Sequence, residues 1–263
     1  MTPSKNRVAL VTGASSGLGA ALAEELARRG YNLVLTARGV EAMTALAERI
    51  QKAHVRNIIV PACRSFQVGG ARPAGRSARC CGRPGVDLVN NAAIGLNERF
   101  PEQDAHRLAS MLQLNILSLT ELTRLYARRM MAADGGHVLL VASLAAHMPA
   151  PLMAVYGASK AYVLSLGEAL HVELGPKIGV TVLTPGYMAT GFDAASGFQP
   201  NAATRLTALA PSTVARIGPD AMFDGKSSVV AGNANRIAAT MGKLLPRSFI
   251  ARQMYKSAGE RYR

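Results

Sequence analysis

The chain has 263 residues, 49% of them hydrophobic and 17% charged, which suits a folded chain with a sizeable core and excludes a disordered one. No apolar run approaches the roughly 18 to 20 residues of a membrane span. The N-terminus, MTPSKNRVALVTGASSG, reaches a glycine-rich turn too early for a secretory signal, and three cysteines, two of them adjacent, make no disulfide framework. These features predict a soluble cytoplasmic protein. The net charge of +14 raises the question of nucleic acid or an anionic surface, but aromatics are only 5% and Trp is absent, which argues against a base-stacking platform. No recognised nucleic-acid motif supports that reading.

The elements follow in chain order. Arg7 to Thr12 is a short apolar run that ends in a glycine turn, and Leu18 to Arg29 carries apolar residues at helical spacing until Gly30 stops it. Tyr31 to Thr36 predicts a second strand, Glu41 to Lys52 a second amphipathic helix, Asn57 to Val60 a third strand and Val86 to Asn90 a fourth. One long helix is expected from about Glu102 to Met131. A fifth strand covers His137 to Ala142, a helix Val155 to Leu174, a sixth strand Val180 to Thr184 and a short last strand Ser227 to Val230. Strands alternating with helices of this length mean βαβ units and a parallel sheet, and continuous apolar strands mean a sheet covered on both faces. The fold class is therefore α/β, a single-domain Rossmann-type doubly wound sheet over residues 1–263. Residues 190–213 are polar, small and poorly periodic, as in a substrate lid, and the stretch from Lys243 to Arg263 is basic with some amphipathic character. Contact of that stretch with a membrane surface is not expected, because its apolar face is short.

Cys63 to Pro84 breaks the pattern. A helix belongs between the third and fourth strands, yet this stretch holds all three cysteines, five arginines, no acid and scattered Gly and Pro. Two readings stand: an unusual surface loop, or a local reading-frame error, since a one-base shift after Cys63 with GC-rich codons yields an Asp-led amphipathic helix. Without those five arginines the net charge falls from +14 to +9, so the basic balance is weaker evidence than it first looks.

Thr12 to Gly19 reads TGASSGLG, after a strand and opening a helix. Gly13 permits the tight turn, Gly17 lets backbone approach a pyrophosphate, and Gly19 allows close helix packing. The helix N-terminus offers unpaired N–H groups to phosphates. Gly13, Ser15, Ser16, Gly17, Leu18 and Gly19 are thus candidate dinucleotide-binding residues. At the end of the second strand an acid would favour NAD; here stand Thr36, Ala37 and Arg38, and a cation favours the 2′-phosphate of NADP(H). Tyr156 and Lys160 are four apart in YGASK, on one helix face. A tyrosine of pKa about 10 is a poor acid–base group at neutral pH, and a neighbouring ammonium lowers that value. Ser143 ends the fifth strand, where side chains face the ligand crevice, and Asn115 lies on the preceding long helix.

TGASSGLG, the NNAA of Asn90 to Ala93, Asn115, Ser143, YGASK and the PG of Pro185 and Gly186 come in this order along the chain. The combination resembles the short-chain dehydrogenase/reductase family over about residues 5–235, the Cys63 to Pro84 stretch excepted. The resemblance implies Tyr156 as general acid or base, Lys160 as the group that tunes it and holds the nicotinamide ribose, and Ser143 as a donor to the substrate oxygen. Asn115 would hold a water in a proton relay to Lys160. Asn90 would line the adenosine side, and Pro185, Gly186 and Thr190 would border the nicotinamide. The implied activity is NADP(H)-dependent hydride transfer with a small-molecule carbonyl or secondary alcohol, in a homo-oligomer, dimer or tetramer. The alternative is a catalytically inactive dinucleotide-binding interaction protein. Two departures from the family pattern stand out: Arg64 where an Asp usually contacts adenine, and NNAA in place of NNAG. Met148, Met153 and Met188 could wall an apolar pocket or fill the core, and His147 reads as a surface or pocket-edge residue. The histidines have no metal-ligand spacing, so no metal is expected.

Overall fold

Seven parallel strands form one sheet in the computed structural model, which describes residues 7–54, 56–60 and 86–259. In chain order the elements are β1 (Val8–Thr12), α1 (Gly17–Arg28), β2 (Asn32–Thr36), α2 (Val40–His54), β3 (Ile58–Ile59) and β4 (Val86–Asn90). Then come α3 (Ala105–Leu112), a π-helical segment (Gln113–Ser118), α4 (Leu119–Ala132), β5 (Gly136–Val141), α5 (Ala154–Leu174) and β6 (Ile178–Thr184). The chain continues through α6 (Phe192–Ser196), α7 (Ala202–Leu206), α8 (Pro211–Phe223), β7 (Ser228–Val230), α9 (Asn233–Leu244) and α10 (Arg247–Gly259). The Cys63–Pro84 stretch, with both readings of it and Arg64, lies outside the described residues.

The strand order is β3-β2-β1-β4-β5-β6-β7. The chain winds outward from β1 in one direction and from β4 in the other, so these two neighbours form the switch point where a crevice opens at the carboxyl ends. Side chains alternate across each strand. Ala9 and Val11 of β1, Leu33 and Leu35 of β2 and Leu139 and Val141 of β5 pack under α1, α2 and α8. Leu10, Val34, Val138 and Leu140 point the other way, under α4 and α5. Both faces are buried, which is why the strands read as unbroken apolar runs rather than alternating ones.

Three parts differ from the sequence expectations. The single helix expected from about Glu102 to Met131 is two α-helices joined by the π-helical segment that contains Asn115, a local widening that 3.6-residue periodicity does not reveal. Residues 190–213 hold two short helices, α6 and α7, and the start of α8. Helices α8 and α9 have no counterpart among the predicted elements; α8 carries Pro219 in its interior and a buried face of Val214, Ala215 and Met222.

Candidate active site

The glycine turn follows β1 directly. Gly13 (φ 66°) and Gly17 (φ 55°) adopt left-handed conformations that favour glycine. Gly19 is needed for space: a Cβ there would lie 2.1 Å from the Gly13 carbonyl oxygen. Ser16 is the N-cap of α1, yet its side chain makes no capping bond, so the first N–H groups of that helix have no side-chain acceptor. Thr12 Oγ1 accepts from the backbone N–H of Asn91 and of Ala92, each at 2.9 Å, and the Asn91 side chain donates to the Thr12 carbonyl at 2.9 Å. These bonds tie the end of β4 to the turn across the switch point.

One cleft of about 1530 Å³ runs over the carboxyl ends of the strands. Gly13, Ser15, Ser16, Gly17, Leu18, Gly19, Arg38, Pro185, Gly186 and Thr190 all line it, as do Ser143, Tyr156 and Lys160. Asn90 does not. It points beneath the turn, where its amide donates to the Leu119 carbonyl at 3.1 Å and to Thr123 Oγ1 at 3.3 Å. β4 ends at Asn90, and the loop that leaves it lines the cleft instead, through Asn91, Ala92 and Ala93. The NNAA motif thus marks the cleft through its second asparagine rather than through Asn90.

Tyr156 and Lys160 share one face of α5 and are both buried, at 8% and 2% exposure. Lys160 Nζ sits 5.9 Å from the Tyr156 ring centre and donates to the Val141 carbonyl at 2.8 Å. Burial lowers the Lys160 pKa to about 8. Burial also pushes the Tyr156 hydroxyl up to about 12, opposed by a hydrogen bond with the Ser143 side chain. In the free protein desolvation dominates at Tyr156, and the Ser143 side chain is the group that acts in the lowering direction. Ser143, N-cap of the short turn over Leu144–Ala146, also accepts from the Ala145 N–H at 3.3 Å.

Asn115 is fully buried but does not line the cleft. Its Oδ1 accepts from the Ile94 N–H at 3.1 Å, and its amide donates to the Ile94 carbonyl at 2.9 Å and to Ser159 Oγ at 3.1 Å. Its side chain thus clamps the loop after β4 to the residue preceding Lys160, and makes no bond to Lys160 itself. His147 is buried rather than at the surface, with Nε2 3.3 Å from Thr184 Oγ1. Met148, Met153 and Met188 line the cleft, and Met188 packs on the core as well.

Several cleft residues carry no motif. The Phe192 ring lies 5.5 Å from the Tyr156 ring, and Phe198, Met254, Ser257 and Ala258 also line the cleft. Among the described residues no group of three or more His, Cys, Asp or Glu could hold a metal ion, and no helix is long and apolar enough to cross a membrane.

A family model described as short chain dehydrogenase matches residues 7–200. The chain is 37% identical over 185 residues to 11-beta-hydroxysteroid dehydrogenase A of Arachis hypogaea, covering 69% of this chain and 52% of that protein. It thus spans about half the length of that plant relative. A short-chain dehydrogenase from Sphingobium yanoikuyae, solved with NADPH, is 28% identical with a TM-score of 0.75, covering 90% of this chain and 93% of that one. A short chain dehydrogenase/reductase from Burkholderia phymatum, solved with NAD, is 25% identical with a TM-score of 0.77, covering 90% and 92%.

Proposed function

The chain belongs to the short-chain dehydrogenase family, and on that premise we propose that it is an NADP(H)-dependent oxidoreductase acting on a carbonyl or the matching secondary alcohol, with Tyr156 as its acid–base group. One observation carries the reading: Ser143, Tyr156 and Lys160 line the same cleft as the glycine turn. The residues fit a dinucleotide. The turn has glycine where side chains would collide, the start of α1 has no side-chain cap, and the cleft is large enough for a dinucleotide with a substrate.

Gly13 to Gly19 would hold the pyrophosphate, Lys160 the ribose and Thr190 the nicotinamide side. When bound, the nicotinamide supplies the hydride that the carbonyl carbon accepts. Negative charge then builds on the carbonyl oxygen, where Ser143 Oγ and Tyr156 Oη are the donors. The Tyr156 proton passes to that oxygen, and the phenolate left behind is stabilised by the Lys160 ammonium. In oxidation each step reverses, with Tyr156 as base. Asn115 acts by position, holding Ile94 and Ser159 so that α5 presents Tyr156 and Lys160 at a fixed angle.

The preference for NADP(H) rests on Arg38. It is exposed at the cleft edge and makes no ion pair among the described residues, and no acid stands at the end of β2. The neighbours solved with NADPH and with NAD do not decide between the two. The inactive alternative is disfavoured by Ser143 and Tyr156: both hydroxyls line the cleft, and a protein that only binds a dinucleotide has no need of two such donors beside the nicotinamide end. The reading also takes the chain as a cytoplasmic homo-oligomer, in which a second copy would cover the exposed Leu117, Met131 and Val172.

The test is a fluorescence titration with NADPH and NADH, followed by a screen of ketones for NADPH oxidation. Tight NADPH binding with turnover is the expected result. Binding with no turnover on any ketone or alcohol would restore the inactive alternative.

A further inference from the structure

The family match ends at residue 200, yet the reacting end of the cleft is finished by residues beyond it. Helix α9 rests on the segment just after the Ser143 turn: a Cβ on Gly242 would lie 2.9 Å from the His147 carbonyl oxygen and 3.4 Å from the Met148 Cβ. This contact sets the C-terminal helix pair at the Ser143 end of the cleft, where α10 turns Met254, Ser257 and Ala258 into it. Phe192 closes the same end from α6. Its ring is seated against bare backbone, since a Cβ on Gly95 would come within 2.6 Å of the Phe192 ring.

The wall so formed, from Met148, Met153, Phe192, Phe198, Met254 and Ala258, is apolar and contains three flexible methionine side chains. The charged residues that line the cleft are distributed unevenly. Arg38 follows β2, and Glu121 and Arg124 sit on α4, which packs over β4, so these three lie on the dinucleotide side. Lys160 is engaged with the Val141 carbonyl. Among the described residues that leaves Asp193, whose carboxylate accepts from the Tyr187 hydroxyl at 2.8 Å. Arg205 acts on the Tyr187 hydroxyl but does not line the cleft, so a substrate carboxylate seated here would face an anion and no further cleft-lining cation among the described residues, which is the costly way to bury a charge.

The geometry points to an uncharged, bulky apolar ketone, or its secondary alcohol, as the substrate, with Met254 on α10 as a specificity-determining residue. This rests on the oxidoreductase reading above. The substrate end selects by exclusion as well as by fit: the apolar wall gains from every ring or methylene it covers, and Asp193 repels an acid.

The experiment compares three ketones at saturating NADPH: benzylacetone, its para-carboxylated analogue and butanone. The first two differ in charge and hardly in size; the first and third differ in apolar area. Benzylacetone is expected to exceed the carboxylated analogue in kcat/KM by about 100-fold, since stranding a carboxylate away from water costs at least the two factors of ten involved. It is expected to exceed butanone by at least about tenfold through the buried ring. Met254→Lys is expected to cut the neutral-over-acid ratio by about tenfold or more by placing a cation on the cleft wall itself, while NADPH affinity, measured by fluorescence, stays within about twofold and reports an intact fold. Met254→Ala provides a second variant, expected to lower kcat/KM for benzylacetone several-fold without changing the charge preference. Equal or better turnover of the carboxylated ketone by the parent, or a ratio that Met254→Lys leaves unmoved, overturns the inference alone. No reduction of any ketone by a protein that binds NADPH overturns the oxidoreductase reading and the inference with it.

Discussion

Replacing Lys160 by methionine is expected to abolish turnover and at the same time to make the free protein more stable at neutral pH. Lys160 is 2% exposed and burial lowers its pKa from 10.5 to about 8. At about 1.4 kcal/mol per unit that displacement amounts to about 3 kcal/mol by which the folded state disfavours the ammonium. The sign follows from proton counting. Below pH 8 both folded and unfolded Lys160 are protonated, so the penalty is fully present. Between about pH 8 and 10.5 the unfolded chain holds more protons, so the parent gains stability as pH rises, and above that window the penalty is gone. Methionine keeps the length and removes the charge, but it leaves the Val141 carbonyl without the bond from Nζ, a loss of about 1 kcal/mol. The net gain at pH 7 is about 2 kcal/mol, or about 4–8 °C in Tm for a chain of this size. Thermal unfolding of parent and variant at pH 7 and pH 10.5, without dinucleotide, measures it. A variant less stable than the parent at pH 7 would refute the reasoning, and so would a gain that persists unchanged at pH 10.5. The expected pattern is the signature of a charged group retained for chemistry against its cost to the fold.

Tyr156→Phe is expected to lower kcat by about 10²–10⁴ with NADPH affinity nearly unchanged; parental rates in the variant would exclude Tyr156 as the proton donor. Because Tyr156 lies at about 12 and Lys160 at about 8, kcat/KM for ketone reduction is expected to be flat below pH 8 and to fall above it as the ammonium is lost, and a profile rising through pH 8 would contradict the role given to Lys160. Arg38→Asp is expected to weaken NADPH by about 10- to 100-fold, the range of a lost charged hydrogen bond, and NADH far less, so equal effects on both in parallel titrations would remove the 2′-phosphate assignment. Gly19→Ala places a Cβ 2.1 Å from the Gly13 carbonyl oxygen, whereas Gly191→Ala meets nothing within 4 Å. Urea unfolding is expected to show a loss of about 2–3 kcal/mol for the first and within about 0.5 kcal/mol for the second.

The parts of this molecule legible in the sequence are those whose physics is local. The glycine turn, the end of β2 and the Tyr156–Lys160 pair each occupy a few consecutive residues, and strands such as Val8–Thr12 announce themselves because two covered faces leave no polar alternation. The same continuity hides register. Nothing in an apolar run tells which residue at its end faces the helices and which faces the cleft, so Asn90 and Asn91 are interchangeable in the sequence, and the bonds of Asn90 to Leu119 and Thr123 are what set it beneath the turn. The π-helical segment is hidden for a related reason: one extra residue in a turn rotates the faces of the helix without changing its composition, and the buried Asn115 is its main polar trace.

The reacting end of the cleft shows the other limit. Its polar half came from motifs, since a serine, a tyrosine and a lysine at set spacings imply chemistry before any coordinates exist. Its apolar half is built from Phe192 on α6 and Met254 on α10, which lie far apart in the chain and look like any core residues. Methionines close to the motifs, Met148 and Met153, could be proposed as wall residues from position alone; Met254 could not, because only the seating of Gly242 on His147 and Met148 brings the C-terminal helices to that end. Catalytic groups must keep a fixed geometry and so leave a pattern in sequence. An apolar wall needs only volume and the absence of charge, which many residues from any helix can supply, and its members become recognisable when the fold has placed them beside Tyr156.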